Sequence, residues 1–226
     1  MSIVLTYDCS DTDNVAPYFR QEKALFLCKN LLSRLCLQSI PSEALEMEGQ
    51  SILCAELYQI IIYHGLKSVR KLAYEVYNQY FDVFGHNPKS LTLLVKFALE
   101  KANHSGLIGH AIGKLKNGIL AHIQNPPEKL SGIHLQSLVK RFCVLKNGAE
   151  TDLLEVSDEV MASLNFLIFV LQRDKTNAFG LLDIVPQIEN DFLKPLNAGL
   201  SMSRAHYKLK LEEGENNSNS LSHGFV

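Results

Sequence analysis

No apolar run in the 226 residues reaches the roughly 18 that a membrane-spanning helix requires; the longest candidate, residues 164–171, is short and broken. Residues 1–7 carry no cationic region and meet Asp8 at once, so the sequence predicts no secretory leader. The five cysteines (9, 28, 36, 54 and 143) are odd in number and contain no C-x-x-C pair, which argues against a disulfide framework and for reduced thiols in the cytoplasm. Long polar stretches are equally scarce. With 46% apolar and 20% charged residues the composition excludes disorder as the dominant state, and the chain is long enough to fold without a metal or cross-links. Alternating strand patterns are absent, as is any Asn-Gly turn between strand-like runs.

The net charge of −2 conceals a segregation. Residues 101–146 hold seven basic residues (Lys101, Lys114, Lys116, Lys129, Lys140, Arg141 and Lys146) against the single acid Glu128, with four of the eight histidines. The remainder has 15 basic and 23 acidic residues, so a +6 segment sits within a −8 background. Segregated charge bears on partners rather than on fold. The blander alternative is a solvated surface on which cations cluster by accident.

What the sequence has in abundance is helical periodicity. Val69, Leu72, Ala73, Val76, Tyr77, Tyr80, Phe81 and Phe84 recur at three- and four-residue intervals, the stripe of a helix with one buried face. Ser68 is its expected N-cap and Gly85 its stop, and Pro88 opens the next helix, carried by Leu91, Leu94, Val95 and Ala98. Upstream, Pro17 opens a segment with Leu25, Cys28, Leu32, Leu35 and Cys36 on one face, closed by Pro41. Residues 52–63 are apolar almost all round, as in a helix buried between neighbours. Residues 107–123 keep a stripe (Ile108, Ile112, Leu115, Ile119, Ile123) despite Gly109, Gly113 and Gly118. Each interior glycine costs about 1 kcal/mol, so packing must hold this helix, and its glycines suit the close approach of a neighbour. Leu135, Leu138, Val139 and Phe142 mark another; Ser157 is the expected cap of a helix through Val160, Leu164, Leu167, Ile168 and Leu171. The last pattern runs from Pro186 to about Leu211, with Pro195 expected to kink it.

These segments predict an all-α protein: an irregular HEAT/armadillo-like α-α superhelix of about eight to ten helices, since successive pairs occupy roughly 40 residues each. A closed bundle is the alternative. The expected organisation is a flexible N-terminus over 1–14, a helical-repeat domain over 15–212 and a disordered tail over 213–226.

Chemistry is hard to find. No two histidines stand four apart on a helix with a carboxylate nearby, so no metal site is expected. His110 and Lys114 share a helix face as a surface pair would. Cys143 follows Lys140 and Arg141, which leaves a lowered thiol pKa conceivable, yet its apolar neighbours favour a buried, inert thiol. No G-x-S-x-G, phosphate loop or dinucleotide fingerprint occurs, and Gly106, Gly109, Gly113 and Gly118 have helical spacing with no preceding strand. We therefore expect no enzyme and no cofactor. Nucleic acid is a poor fit to the basic segment: Phe142 is its only aromatic, and Glu150, Asp152, Glu155, Asp158 and Glu159 follow at once. A compact protein partner suits a bounded cationic patch better.

Several strings are distinctive. Asn103-His104-Ser105-Gly106, Gly148-Ala149-Glu150-Thr151-Asp152-Leu153-Leu154 and Met161-Ala162-Ser163-Leu164-Asn165 are followed by Ile188-Glu189-Asn190, Phe192-Leu193-Lys194-Pro195-Leu196, Gly199-Leu200, Met202-Ser203 and Ala205-His206-Tyr207. In content, order and spacing they resemble the glomulin family from about residue 103 to 207, and more loosely over 17–101. The resemblance implies a HEAT-like helical protein, corresponding to the C-terminal half of longer relatives. It would bind the RING subunit of cullin–RING ubiquitin ligases and block docking of the ubiquitin-conjugating enzyme, without chemistry of its own. The partner-binding residues expected on that basis are Lys114, Lys116, Lys129, Lys140 and Arg141. Among them Lys116 follows the Asn-His-Ser-Gly string at the spacing of a family lysine. The expected state is a monomer that engages neither nucleic acid nor membrane. The alternatives are a scaffold joining two proteins without inhibiting ubiquitin transfer and, last, an enzyme using Cys143 or a histidine.

Overall fold

A computed structural model describes the backbone of residues 15–35, 48–84, 88–120 and 132–222, and the side chains of 19–35, 49–84, 90–120 and 135–211. Within them the regular structure is helical, with no strand. The helices are α1 (Val15–Ser33), α2 (Glu48–Tyr63), α3 (Lys67–Phe84), α4 (Pro88–Lys101), α5 (Ser105–Leu120), α6 (Gly132–Phe142), α7 (Ser157–Arg173), the short α8 (Val185–Ile188) and α9 (Lys194–Ser222).

They stack in two layers. One contains α1, α3, α5 and α7; the other contains α2, α4 and α6. Between the layers α2 packs on α3 and α4 on α5, and along them α1 packs on α3, α5 on α7, α2 on α4 and α4 on α6, which is how a helical-repeat superhelix propagates. Same-layer neighbours are stitched by ion pairs: Lys29 of α1 to Glu75 of α3 at 2.7 Å, Lys114 of α5 to Asp82 of α3 at 2.6 Å, and Arg141 of α6 to Glu100 of α4 at 2.9 Å. The core between the layers takes Tyr77, Leu94, Ile112, Leu115 and Val139 from the expected stripes, but α7 is turned from its expected face: Val160, Ser163, Phe166, Leu167 and Val170 are buried, while Ile168 and Leu171 are exposed. Tyr58 of α2 meets Tyr77 of α3 edge-on at 5.4 Å, and Phe142 of α6 meets Phe166 of α7 at 5.3 Å and 86°.

The glycines of α5 divide. A Cβ on Gly109 would stand 2.7 Å from the Asp158 carbonyl oxygen of α7, and one on Gly118 would collide with the Leu91 side chain of α4, whereas Gly113 has open space. Two of the three thus allow the close approach that the sequence suggests. Caps differ from expectation. α3 already includes Ser68 in its first turn, and Ser157 is the first residue of α7, not its cap. The Glu159 N–H of that first turn donates instead to Ser105 Oγ of α5 at 2.9 Å, a partner 54 residues away. Leu35, placed on the buried stripe of α1, lies beyond the helix and is exposed; Cys36, Gly85 and Ile123 fall outside the described residues.

Past residue 180 the expected single helix is three segments. A π turn, Glu189–Leu193, separates α8 from α9, and the Lys194 N–H reaches five residues back to the Glu189 carbonyl. Proline explains it. Pro195 has no N–H for the Asp191 carbonyl four residues earlier, and its ring crowds that oxygen. The Leu145 N–H, from the connection between α6 and α7, donates to Asp191 O instead at 3.2 Å. The backbone of α9 continues beyond the expected end near Leu211 to Ser222, within the stretch 213–226 expected to be disordered.

Candidate functional site

The cations singled out by sequence do not converge. Lys114 and Arg141 belong to different layers, and each is engaged by a carboxylate of its own fold. Lys116 lies on α5 two residues beyond Lys114, so the two do not share a helix face. It is half-buried with no ion pair among the described residues; Lys140 is likewise without one there and is exposed. Lys129 lies outside the described residues.

A cleft of about 580 Å3 opens where α5, α6, α7 and the π turn meet. Its walls include His104, Ser105, Lys146, Glu150, Glu159 and Phe192. Local structure places them. Asn103 takes a left-handed conformation (φ 41°) at the end of α4 and turns the chain into α5, carrying His104 and Ser105 to the rim. Gly148 (φ 55°) opens a 3-10 turn, Gly148–Glu150, whose Ala149 carbonyl lies so near Gly199 of α9 that a Cβ there would stand 2.9 Å away. Burial pushes the Glu159 carboxyl above the usual carboxylate range, partly opposed by Lys146. With Glu150, Asp152, Glu155 and Asp158 also on its walls, the cleft presents mainly carboxylates around an apolar floor of Phe142, Leu145 and Phe192. Periodicity could not have found it, since its walls come from turns 40 to 90 residues apart. The available signal lay in three of the distinctive strings, which contribute Asn103–Gly106, then Glu150, Thr151, Asp152 and Leu154, and Phe192.

Reactive groups are elsewhere and are muted. Cys28, Cys54 and Cys143 are free and buried. Burial raises all three thiols, Cys54 to about 12 and Cys143 further, so the notion of a Cys143 thiol lowered by Lys140 and Arg141 is overturned: both cations are exposed while the sulfur faces the core. Among the described residues no group of three or more His, Cys, Asp or Glu side chains could hold a metal ion, and no helix is long and apolar enough to cross a membrane.

His110 is a half-buried titratable group lodged between α3 and α5. It packs against Tyr74 and Tyr77 of α3, lies 3.3 Å from Tyr74 Oη through Nδ1, and keeps Nε2 buried without a hydrogen-bond partner. Burial chiefly, and then Lys114, lower its pKa against the opposing pull of Asp82. His64 is also lowered by burial. The unfolded chain therefore binds protons more readily, and stability present above the ordinary histidine pKa of about 6.5 is lost as pH falls through the lower folded values. Thermal melts should shift downward between about pH 7 and pH 5, and His110→Gln should flatten that slope without abolishing it, because His64 remains. A slope unchanged by the substitution would remove His110 from the account.

The family model described as "Uncharacterised protein family, YAP/Alf4/glomulin" matches residues 2–224. The chain belongs to the YAP/Alf4/glomulin family. Among relatives in this family, glomulin of Mus musculus is 33% identical over 198 residues, covering 86% of this chain, and glomulin of Homo sapiens is 32% identical over 197 residues, covering 85%. Each match takes in 33% of the relative, so the chain spans about a third of the length of the glomulins it matches, less than the half expected.

Proposed function

We propose that this chain is a non-catalytic regulator that binds the RING subunit of a cullin–RING ubiquitin ligase and blocks docking of the ubiquitin-conjugating enzyme. The observation supporting this reading is that three of the family-like strings contribute walls to one cleft, in a chain matched by the family model from residue 2 to 224. Inhibition of this kind is competition for a surface and asks no chemistry of the chain. It suits buried thiols with raised pKa values, kept reduced in the cytoplasm.

Of the five expected contact residues, Lys116 and Lys140 carry the proposal best, because Lys114 and Arg141 already neutralise Asp82 and Glu100. Lys116→Glu should weaken binding to the RING subunit by about 1–3 kcal/mol, and Lys140→Glu similarly. Lys114→Glu breaks an ion pair between helices whose contribution is about 0–1 kcal/mol, so its first effect is a small loss of stability. Calorimetry with the purified RING–cullin complex separates the two classes; unchanged affinity in both Lys116→Glu and Lys140→Glu would remove these lysines from the interface.

The direct test is a pull-down of the chain with that complex, followed by a ubiquitin-transfer assay. Binding with dose-dependent loss of transfer supports the regulator. Binding with transfer intact favours a scaffold that joins two proteins, a reading encouraged by the separation between the carboxylate cleft and the scattered cations.

A further inference from the structure

The cleft where α5, α6, α7 and the π turn meet concentrates negative charge. On its walls Glu150, Asp152, Glu155, Asp158 and Glu159 face Lys146 alone, a formal −4 with His104 neutral, in a chain whose total is −2. Elsewhere Glu75, Asp82, Glu100 and Glu189 each meet a cation of their own fold. None of the five cleft carboxylates makes an ion pair among the described residues. Like charges gathered without partners repel one another, so the arrangement costs stability that a cation entering the cleft would restore. Glu159, the half-buried member, is raised by burial more than Lys146 lowers it.

The rest of the lining narrows the kind of cation. Phe142, Leu145 and Phe192 give the cleft an apolar floor, and two further apolar members, Val144 and Leu154, are 37% and 75% exposed. A metal ion needs convergent ligands, and among the described residues no such group occurs. The cleft's volume lies within the range of about 300–1,000 Å3 that suits organic groups rather than a single ion. A long side chain with an apolar stem and a cationic head matches floor and walls together. Leu154 carries the apolar contact beyond the cleft itself, so the head belongs to a larger body, a protein surface. The walls are fixed in advance: Asp152 Oδ1 accepts the Leu154 and Glu155 N–H groups at 3.0 and 3.3 Å, and Thr151 Oγ1 donates to the Gly148 carbonyl at 2.8 Å. Little ordering is left for binding to accomplish.

We propose that this cleft receives an arginine or lysine side chain from a loop of a protein partner, its stem on Phe142, Leu145 and Phe192 and its head among Glu150, Glu155 and Glu159. Lys146 then opposes the guest, being the one lysine or arginine on the walls, and limits the affinity. In naming the RING–cullin complex as the bearer of that side chain, the inference rests on the reading under Proposed function.

The test titrates the full chain with the purified RING–cullin complex and, separately, with a hexa-arginine peptide. Glu150→Gln with Glu155→Gln removes two charges and leaves the Asp152 turn intact; Lys146→Gln removes the opposing charge. All three side chains are exposed and hold no hydrogen bond among the described residues, so the melting temperature should not fall in either variant. The carboxylate pair should weaken binding by about tenfold and flatten its salt dependence, whereas Lys146→Gln should tighten it by about threefold. Wild-type binding to the complex with equal affinity in both variants overturns the cleft inference and leaves the regulator standing. A wild type that ignores the complex yet binds the peptide, with the same opposite shifts, overturns the regulator and leaves the cleft. Binding of neither overturns both. Spermine held as tightly as the peptide, with the same shifts, would assign the cleft to free polyamines and overturn the protein partner.

Discussion

Phe142→Ala is expected to lower the unfolding free energy by about 3–5 kcal/mol, the largest effect of any single substitution considered. The side chain is buried at the end of α6, its ring edge-on to Phe166 of α7, and its backbone carbonyl accepts the Ser163 hydroxyl at 3.2 Å. Truncation removes the ring contact and leaves a void between two helices that pack on different neighbours, α6 on α4 and α7 on α5, so collapse of one toward the other is resisted on both sides. Phe142 also floors the cleft. Chemical denaturation should show a lower midpoint with little change of slope. A loss below about 1 kcal/mol would mean that the site closes up and that the layers are softer than their contacts imply.

The second large effect is a contrast within one helix. Gly109→Ala places a methyl 2.7 Å from the Asp158 carbonyl oxygen, a backbone atom that cannot swing aside, and must part α5 from α7. The expected loss is about 1–3 kcal/mol. Gly113→Ala, four residues along, meets nothing within 4 Å and should stabilise by up to about 1 kcal/mol through helix propensity. For a chain of this size the two melting temperatures should move in opposite directions by a few degrees per kcal/mol, about 2–4 °C. Equal shifts of one sign would refute the close approach of α5 and α7 at Gly109.

The same two glycines illustrate what a sequence can convey. Their spacing announced a helix that needs a neighbour, but which glycine faces that neighbour depends on where α7 crosses, and nothing local encodes the crossing. The stripes of α3, α4 and α5 were legible because each apolar position repeats a single geometric requirement, one buried face. Capping was less so: Ser157 is a good local cap, yet Ser105 of another helix supplies the acceptor. The scattered cations make the same point. Seven basic residues within one stretch read as a patch, and the two-layer stack then distributed Lys114 and Arg141 between layers, each against its own carboxylate. The cleft was invisible to periodicity, since turns rather than stripes make its walls.

Pro195 has a mechanical meaning as well. The segment of α9 from Lys194 to Leu211 is a rod about 25 Å long at 1.5 Å per residue. One degree of tilt at its base displaces the tip by about 0.4 Å at that length. The rod is clamped near its root by the Leu145 N–H on the Asp191 carbonyl, in the π turn just ahead of it, and by the Ala149 backbone against Gly199 in its second turn. Both come from the single connection between α6 and α7, whose residues also wall the cleft. The connection therefore serves as the mount of a lever: with Asp191 as pivot and Gly199 about 12 Å along, a shift of this loop against Gly199 is about doubled at Tyr207 and Leu211.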